Sequence, residues 1–302
     1  MSTDAINNEH FAKDDTDNDE SVSHTGRLPV ASYRLATNEA FDGELNRGAY
    51  SFCMCPGGQI VPSSTEEGEL CINGMSFSKR DSVFANSAMV VTVDPDDKIL
   101  EQYRKDHGNL AGLEFQRHIE RKAFELGGGD MRAPVQRLTD FVDQRISESV
   151  PPSSYRLGVK PAELHDIYPE PIYNALVHAI VNNFEKQMPG FLCNDAILHG
   201  VETRTSSPVR VLRDKETLQA SGVDNLFPSG EGKEMISSQL YHCRTFFTNK
   251  LYIFYEGAGF AGGIVSAAVD GLMVANAIKT KFAASEDEST SFFSGKAVGF
   301  EY

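Results

Sequence analysis

Residues 256–271 read Glu-Gly-Ala-Gly-Phe-Ala-Gly-Gly-Ile-Val-Ser-Ala-Ala-Val-Asp-Gly. Gly257, Gly259, Gly262 and Gly263 fall within seven residues, and an apolar helical pattern begins at Ile264. Glycine admits positive φ and keeps a Cβ out of the way of an approaching ligand. A helix starting there turns its first N–H groups and its positive dipole end into the loop. That arrangement suits a phosphate or another anion. Glu256, with Ala258 beside it, stands where a carboxylate can accept from a hydroxyl-rich ligand. Upstream, Asn225-Leu-Phe-Pro-Ser-Gly-Glu-Gly232 ends in the same pair. Gly230, Glu231 and Gly232 therefore duplicate the entry to the loop, 25 residues before Glu256. A bare strand-to-helix turn has the same spacing, and spacing alone leaves both readings open.

A second polar cluster is Glu202-Thr-Arg-Thr-Ser-Ser-Pro208. Arg204 can clamp a carboxylate or phosphate with two parallel N–H bonds. Thr205 and Ser206 complete the weak set of catalytic candidates. A capped turn with a surface arginine explains the same residues and is the reading favoured by sequence. Cys53-x-Cys55 lies in a strand-like run, where alternate residues share a face, so both thiols are expected buried together. Structural zinc needs a second pair at suitable spacing, and no metal ligand set is assigned. Asn73–Asp81 reads as a hairpin loop. His165, His178 and His199 have no readable Ser or Asp partner, and no Gly-x-Ser-x-Gly elbow is present. No hydrolase triad follows.

These residues need elements to hold them. Short β-branched or apolar runs at 50–55, 59–61, 69–72 and 89–93 alternate with turn signals such as Pro56-Gly-Gly, Asn73-Gly and Asp94-Pro. Phe115, Ile119, Ala123 and Leu126 share one helical face, and Gly127-Gly-Gly stops that helix. A shorter helix is expected over Val135–Ile146. Another is expected over Pro171–Gln187, with Leu176, Ile180 and Phe184 inward. Val209–Leu212 and Leu226-Phe227 read as strands, and Gly263–Phe282 as the last long helix. Ordered structure is expected to begin near Leu28.

The chain has 302 residues, a net charge of −15 and 40% apolar residues. That is room for one large or two ordinary domains. No basic stripe is present to meet phosphates, so nucleic acid is not an expected partner. No run of 18 apolar residues exists, which predicts no membrane span. Five scattered cysteines fit a reducing compartment. The acidic N-terminus has no apolar h-region and no arginine-rich amphipathic stretch. A soluble protein is expected, cytoplasmic by default, with a plastid location open for a full-length plant form.

Several strings together resemble one family. They include Arg47-Gly-Ala-Tyr-Ser-Phe-Cys-Met-Cys-Pro-Gly-Gly-Gln59, Cys71-Ile-Asn-Gly-Met-Ser-Phe-Ser78, Gly112-Leu-Glu-Phe-Gln-Arg117, Ala133-Pro-Val-Gln136 and Gly200–Pro208. The terminal Gly-Glu-Gly and Gly-Ala-Gly-Phe-Ala-Gly-Gly-Ile-Val-Ser-Ala-Ala-Val-Asp-Gly strings complete the set. The chain is similar, over about residues 28–282, to uncharacterised FAD-dependent dehydrogenases with a glutathione-reductase-like fold. The resemblance implies an α+β (partial α/β) architecture: a mixed-sheet second domain plus the C-terminal part of a Rossmann-like FAD domain. It implies an acidic disordered tail over 1–27, the second domain over 28–205, the FAD-domain return over 206–282 and a flexible tail over 283–302. It implies FAD as cofactor, held at Gly230, Glu231, Gly232, Glu256, Gly257, Ala258, Gly259, Gly262, Gly263 and Ile264. The Glu202–Ser207 string would face the isoalloxazine. A small-molecule substrate, and NAD(P)H as electron partner, belong to the same implication.

Two departures shape the expectation. The family's N-terminal Gly-x-Gly-x-x-Gly segment is not in this sequence, so tight FAD binding by this chain alone is not expected. The family's Gly-Glu-Gly-Ala-Gly loop is also interrupted by 233–256, for which a retained intron is one reading; a GAG codon at Glu256 would exclude it. Either Glu-Gly copy can lead into the loop, and the downstream copy is expected in the sheet only if 226–232 is displaced. A non-catalytic interaction module, or a truncated and mis-spliced product, is the alternative.

Overall fold

The computed structural model describes residues 2–11, 35–37, 47–231, 244–247, 250–261 and 263–286. Leu28 and the stretch around it, Gly232, Gly262, most of 233–249 and residues 287–302 lie outside the described residues. The described elements form two compact units, one up to residue 209 and one from residue 210 onward. Helices mix with small sheets in an α+β arrangement.

In the first unit the strands are β1 (Ser2–Phe11), β2 (Ala49–Cys55), β3 (Gly58–Pro62), β4 (Ile72–Ser76) and β5 (Phe84–Val93). Helices α1 (Glu101–His107) and α2 (Ala111–Gly127) follow, then β6 (Ala133–Arg137), α3 (Leu138–Val142) and β7 (Val159–Pro161). α4 (Glu170–His178) continues through a π-helical stretch, Ala179–Phe184, into α5 (Glu185–Gln187), and β8 (Ile197–Glu202) completes the unit. The main sheet runs β2-β5-β1-β8-β6-β7, all antiparallel except β6 with β7. β3 and β4 pair as a separate hairpin. Met89, Val91 and Val93 alternate along β5 into a core shared with Phe115, Ile119 and Ala123 of α2 and Leu176, Ile180 and Phe184 of the α4 run. Both long helices thus bury the face their spacing predicts.

Several sequence expectations are corrected. Residues 2–11 are not part of a disordered tail: β1 occupies the lane between β5 and β8, pairing antiparallel with both. Two neighbours satisfy its backbone groups on both sides and close two sheet edges. Asn73-Gly74 is not a turn but lies inside β4 opposite Val61 and Ile60. The helix expected over 135–146 is a strand through Arg137 and a short helix after it. Pro134 has no N–H to give a helix, and short apolar runs do not separate the two states. Cys53 and Cys55 do not share a face. The β2–β5 register slips between Phe52 and Cys55, Cys53 adopts φ 48°, and Cys53 is exposed while Cys55 is buried. An extra residue in a strand reverses the alternation beyond it.

In the second unit, β9 (Leu226–Glu231) pairs parallel with β11 (Lys250–Ala261), and β10 (Arg244–Phe247) pairs antiparallel with β11. α6 (Ile264–Glu286) packs on β9 and β11 through Val274, Ala277 and Ile278, which meet Phe227 and Leu218. Glu231 and the downstream Glu256-Gly257 lie in the same sheet, with Glu256 opposite Ser229, so the downstream copy joins the sheet without displacing 226–231. Val209–Leu212 is not a strand; its neighbourhood carries a single bridge, Arg213 to Ala220. α6 also runs past Phe282 to Glu286 because Ala283-Ala284 continue the helix without a breaker. Among the described residues no helix is long and apolar enough to cross a membrane.

The C-terminus of α2 gives the sharpest steric test. Gly128 caps it at φ 112°, and a Cβ on Gly127 would be driven into the backbone carbonyl of Arg132. Because a backbone oxygen cannot rotate away, Gly127→Ala is expected to destabilise by about 1–3 kcal/mol. The shift in urea midpoint measures it.

Candidate functional site

Arg204 is buried and does not point to solvent. Its Nε donates to Glu120 Oε1 at 3.0 Å and its Nη2 to Glu120 Oε2 at 2.7 Å. Nη1 donates to Thr65 Oγ1 at 2.8 Å. Glu120, fully buried on α2, also accepts from Thr203 Oγ1 at 2.5 Å and Gln116 Nε2 at 3.2 Å. The fork that could have gripped a ligand is thus engaged by a carboxylate 84 residues earlier. This corrects both sequence readings of Arg204, as ligand clamp and as surface residue. Thr205 is buried, and its Oγ1 has no partner among the described residues. Ser206 is half-buried. Cys71 abuts the network: burial first, then the Glu120 charge, push its thiol up to about 11, which leaves it unreactive near neutrality.

A Ser–His contact that the sequence did not reveal lies nearby in the fold. Ser153 Oγ sits 2.7 Å from His199 Nε2. The distance is right for a nucleophile and its base, but His199 is fully buried on β8. Burial holds its pKa down at about 3, with a backbone hydrogen bond at Ile197 acting weakly against it. A general base must take a proton near the working pH. This imidazole stays neutral and anchors the 150–155 segment instead.

In the second unit the glycine loop forms the end of β11. The four residues Gly257–Phe260 lie opposite the single residue Gly230, so the loop arches out of the ladder between the Glu256–Ser229 and Ala261–Glu231 pairs. Gly259 adopts φ 78° and Gly230 φ 82°, and a Cβ on Gly230 would meet nothing within 4 Å. At the start of α6, Gly263 N–H donates to Ser266 Oγ at 3.1 Å. Two arginines flank the loop. Arg210, exposed, donates its Nε–H to the Gly259 carbonyl at 2.8 Å. Arg213 lies 3.5 Å from the centre of the Phe260 ring and donates to Asp270 Oδ2 at 3.0 Å and Pro228 O at 2.7 Å. Asp270 accepts from Gly230 N–H at 2.8 Å and so ties α6 to β9. Burial pushes its carboxyl up, but the bonds from Arg213, Gly230 and Ser229 outweigh burial and hold it below the usual range.

A family model described as FAD-dependent protein, C-terminal domain-like, matches residues 4–205. This chain belongs to that family. A relative from Clostridium beijerinckii, described as an uncharacterized protein, is 44% identical over 260 residues. Those residues cover 85% of this chain and 42% of the relative, so the chain spans less than half of the relative's length. The family match begins at residue 4, earlier than the resemblance placed it, in keeping with β1 being part of the sheet.

The second unit brings Gly230, Gly257, Ala258, Gly259 and Gly263 together at one end of its sheet, beside the first turn of α6 that begins with Ile264. Gly232 and Gly262 lie outside the described residues; Glu231 and Glu256 are placed by backbone position, on adjacent parallel strands. Sequence reading missed Arg210, Arg213, Phe260 and Asp270 around this loop, and Glu120 in the first unit. The available signal was Arg210-x-x-Arg213 directly after the hydroxyl-rich string.

Two measurements follow. Arg204→Met leaves the Glu120 carboxylate buried without its partner and is expected to cost about 3–5 kcal/mol in urea unfolding. The double variant Glu120→Leu with Arg204→Met should recover most of that loss, whereas a ligand-clamping arginine would give no such recovery. His199 binds a proton far more readily unfolded than folded. Its contribution to stability is therefore complete above about pH 6.5 and falls by roughly 1.4 kcal/mol per pH unit below that, toward its folded value. His199→Gln should flatten that part of the stability-versus-pH curve.

Proposed function

We propose that this chain supplies the C-terminal part of an FAD-dependent oxidoreductase. In this reading residues 4–205 form a second, substrate-side domain, and 206–282 return to a Rossmann-like FAD domain interrupted at 233–256. The observation that carries it is the glycine loop that arches from a parallel strand and runs into α6 in a chain of an FAD-dependent family.

The residues present fit part of such a cofactor. Gly230 leaves open space where a side chain would stand, and Arg210 adds an exposed guanidinium. Arg213 is offset by Asp270, so this pair of arginines leaves one cationic charge at the loop, while the Gly230 and Gly263 N–H groups are taken by Asp270 and Ser266. The Arg210 guanidinium suits a pyrophosphate or ribityl-phosphate segment. Glu231 and Glu256 are the carboxylates proposed to meet ribityl hydroxyls, and Thr205, with its buried hydroxyl lacking a partner among the described residues, is the proposed polar contact on the substrate side. When bound, FAD would supply hydride-transfer redox chemistry. This chain's residues would orient one part of it and exclude water. A small-molecule substrate and NAD(P)H as electron partner belong to the same proposal.

FAD titration, followed by quenching of flavin fluorescence, tests this reading. The chain alone is expected to bind weakly. A fusion to the portion of the Clostridium relative outside the matched stretch is expected to bind tightly. Arg210→Glu should weaken binding roughly tenfold in the fusion. A folded fusion that takes up no flavin would overturn the proposal.

A further inference from the structure

In the first unit, one end of the β2–β5 sector carries an exposed apolar tip. Met54, Met75, Phe77 and Val83 all reach solvent there, Phe77 with 54% and Val83 with 64% of its surface exposed. Two tight turns bring them together. Gly57 stands between β2 and β3 at φ 58°, and a Cβ on it would run into the backbone carbonyl of Arg80. Arg80 N–H donates to Phe77 O at 3.0 Å, which closes a turn after β4 with Arg80 at φ 52°. Ser76 Oγ donates to Pro56 O at 3.2 Å and Ser82 Oγ to Gly58 O at 2.6 Å, so the two turns are tied to each other. Apolar residues exposed singly are ordinary, whereas a cluster marks a contact surface.

Charge is arranged around this cluster. Between Gly48 and Val93 the charged residues are Glu66, Glu67, Glu69, Lys79, Arg80 and Asp81. The three glutamates lie in the connection from β3 to β4, at the far end of the hairpin, where Glu69 pairs with Arg117 and Arg121 of α2. Lys79, Arg80 and Asp81 are at the tip and exposed. In a chain of net charge −15, the apolar cluster is thus bordered by two cations and one anion.

We propose that this tip docks on a lipid bilayer that contains anionic headgroups. Shape and charge choose that occupant. A cluster of Phe, Met and Val standing on turns enters the boundary between headgroups and acyl chains, where a depth of about 5–10 Å buries it. Lys79 and Arg80 run their stems along the apolar residues and leave their charges among the phosphates. The excess acid elsewhere in the chain is repelled by such a surface and turns the cationic tip toward it. A second copy of this chain fits less well, because a symmetric contact would set the same two cations against each other. The proposal goes beyond the flavin reading and does not require it.

The chain has no tryptophan, so Phe77→Trp installs a single fluorescent reporter at the tip. Ile146→Trp, at an exposed apolar residue outside the tip, is the control. On vesicles of mixed phosphatidylcholine and phosphatidylglycerol, the reporter at position 77 is expected to shift to the blue and to be quenched by brominated acyl chains. The reporter at position 146 should do neither. In vesicle flotation, Phe77→Ser is expected to lower the partition coefficient roughly tenfold. Lys79→Gln with Arg80→Asn should lower it by a similar factor on the mixed vesicles and leave it unchanged on phosphatidylcholine alone. Asn is used at position 80 because it tolerates the left-handed backbone there. The side chains changed are exposed, so the urea midpoint is expected to stay at the parent value, and the two reporters decide the question without these variants. A parent chain that does not float with mixed vesicles overturns the proposal, as does equal flotation of the parent and Phe77→Ser. A dimer in solution that Phe77→Ser dissolves also overturns it, because protein would then be the occupant. All measurements are made without FAD, so the outcome of the flavin titration does not bear on them.

Discussion

The ion pair between Glu120 and Arg204 is the constraint on which the first unit depends. Two charges removed from water must satisfy each other nearly completely, and here they do: the bidentate contact is joined by Thr203, Gln116 and Thr65. Three remote stretches are thereby held together, namely α2, the exit from β8 and the connection between β3 and β4. None can shift without exposing a charge to a low-dielectric interior. The same pairing engages the Arg204 fork and leaves Thr205, whose buried hydroxyl has no partner among the described residues, as the group with capacity to spare.

Burial silences chemistry in this unit as effectively as it builds the core. Ser153 and His199 have the separation of a catalytic pair, and Cys71 sits among polar groups. Desolvation leaves the His199 imidazole too weak a base to take a proton near neutrality and keeps the Cys71 thiolate out of reach there. Distance alone would have nominated a hydrolase; the environment of the ring withdraws the nomination. The second unit differs, because Arg210 remains exposed beside the backbone of Gly259.

Legibility followed the range of the governing interaction. α2, the α4 run and α6 were readable because their periodicity and stops are local: Phe115, Ile119 and Ala123 on one face, Gly128 at the end. β6 was not, since four apolar or neutral residues and an arginine followed by a true helix satisfy both periods. The slip at Cys53 has no local marker, and it reverses which thiol meets solvent. The partner of Arg204 was hidden by a separation of 84 positions along the chain. The glycine loop was legible as a motif, whereas its flanking arginines depended on how 210–213 packs on Phe260. The division into two units at 209/210 is visible in the contacts.

The side-by-side Glu-Gly copies carry a consequence for length variants. β9 ends at Glu231, the glutamate of the upstream copy, and Glu256-Gly257 is the downstream copy. A transcript lacking 233–256 would join them directly, deleting β10 and the half of β11 that precedes the arch. The residues of the arch and α6 would survive such an excision, with β9 left as the strand that leads into them. Heterogeneity at this locus would therefore change how wide the small sheet is while sparing the feature at its tip, so isoforms differing by one cassette could share a ligand and differ in the edge they present to other strands.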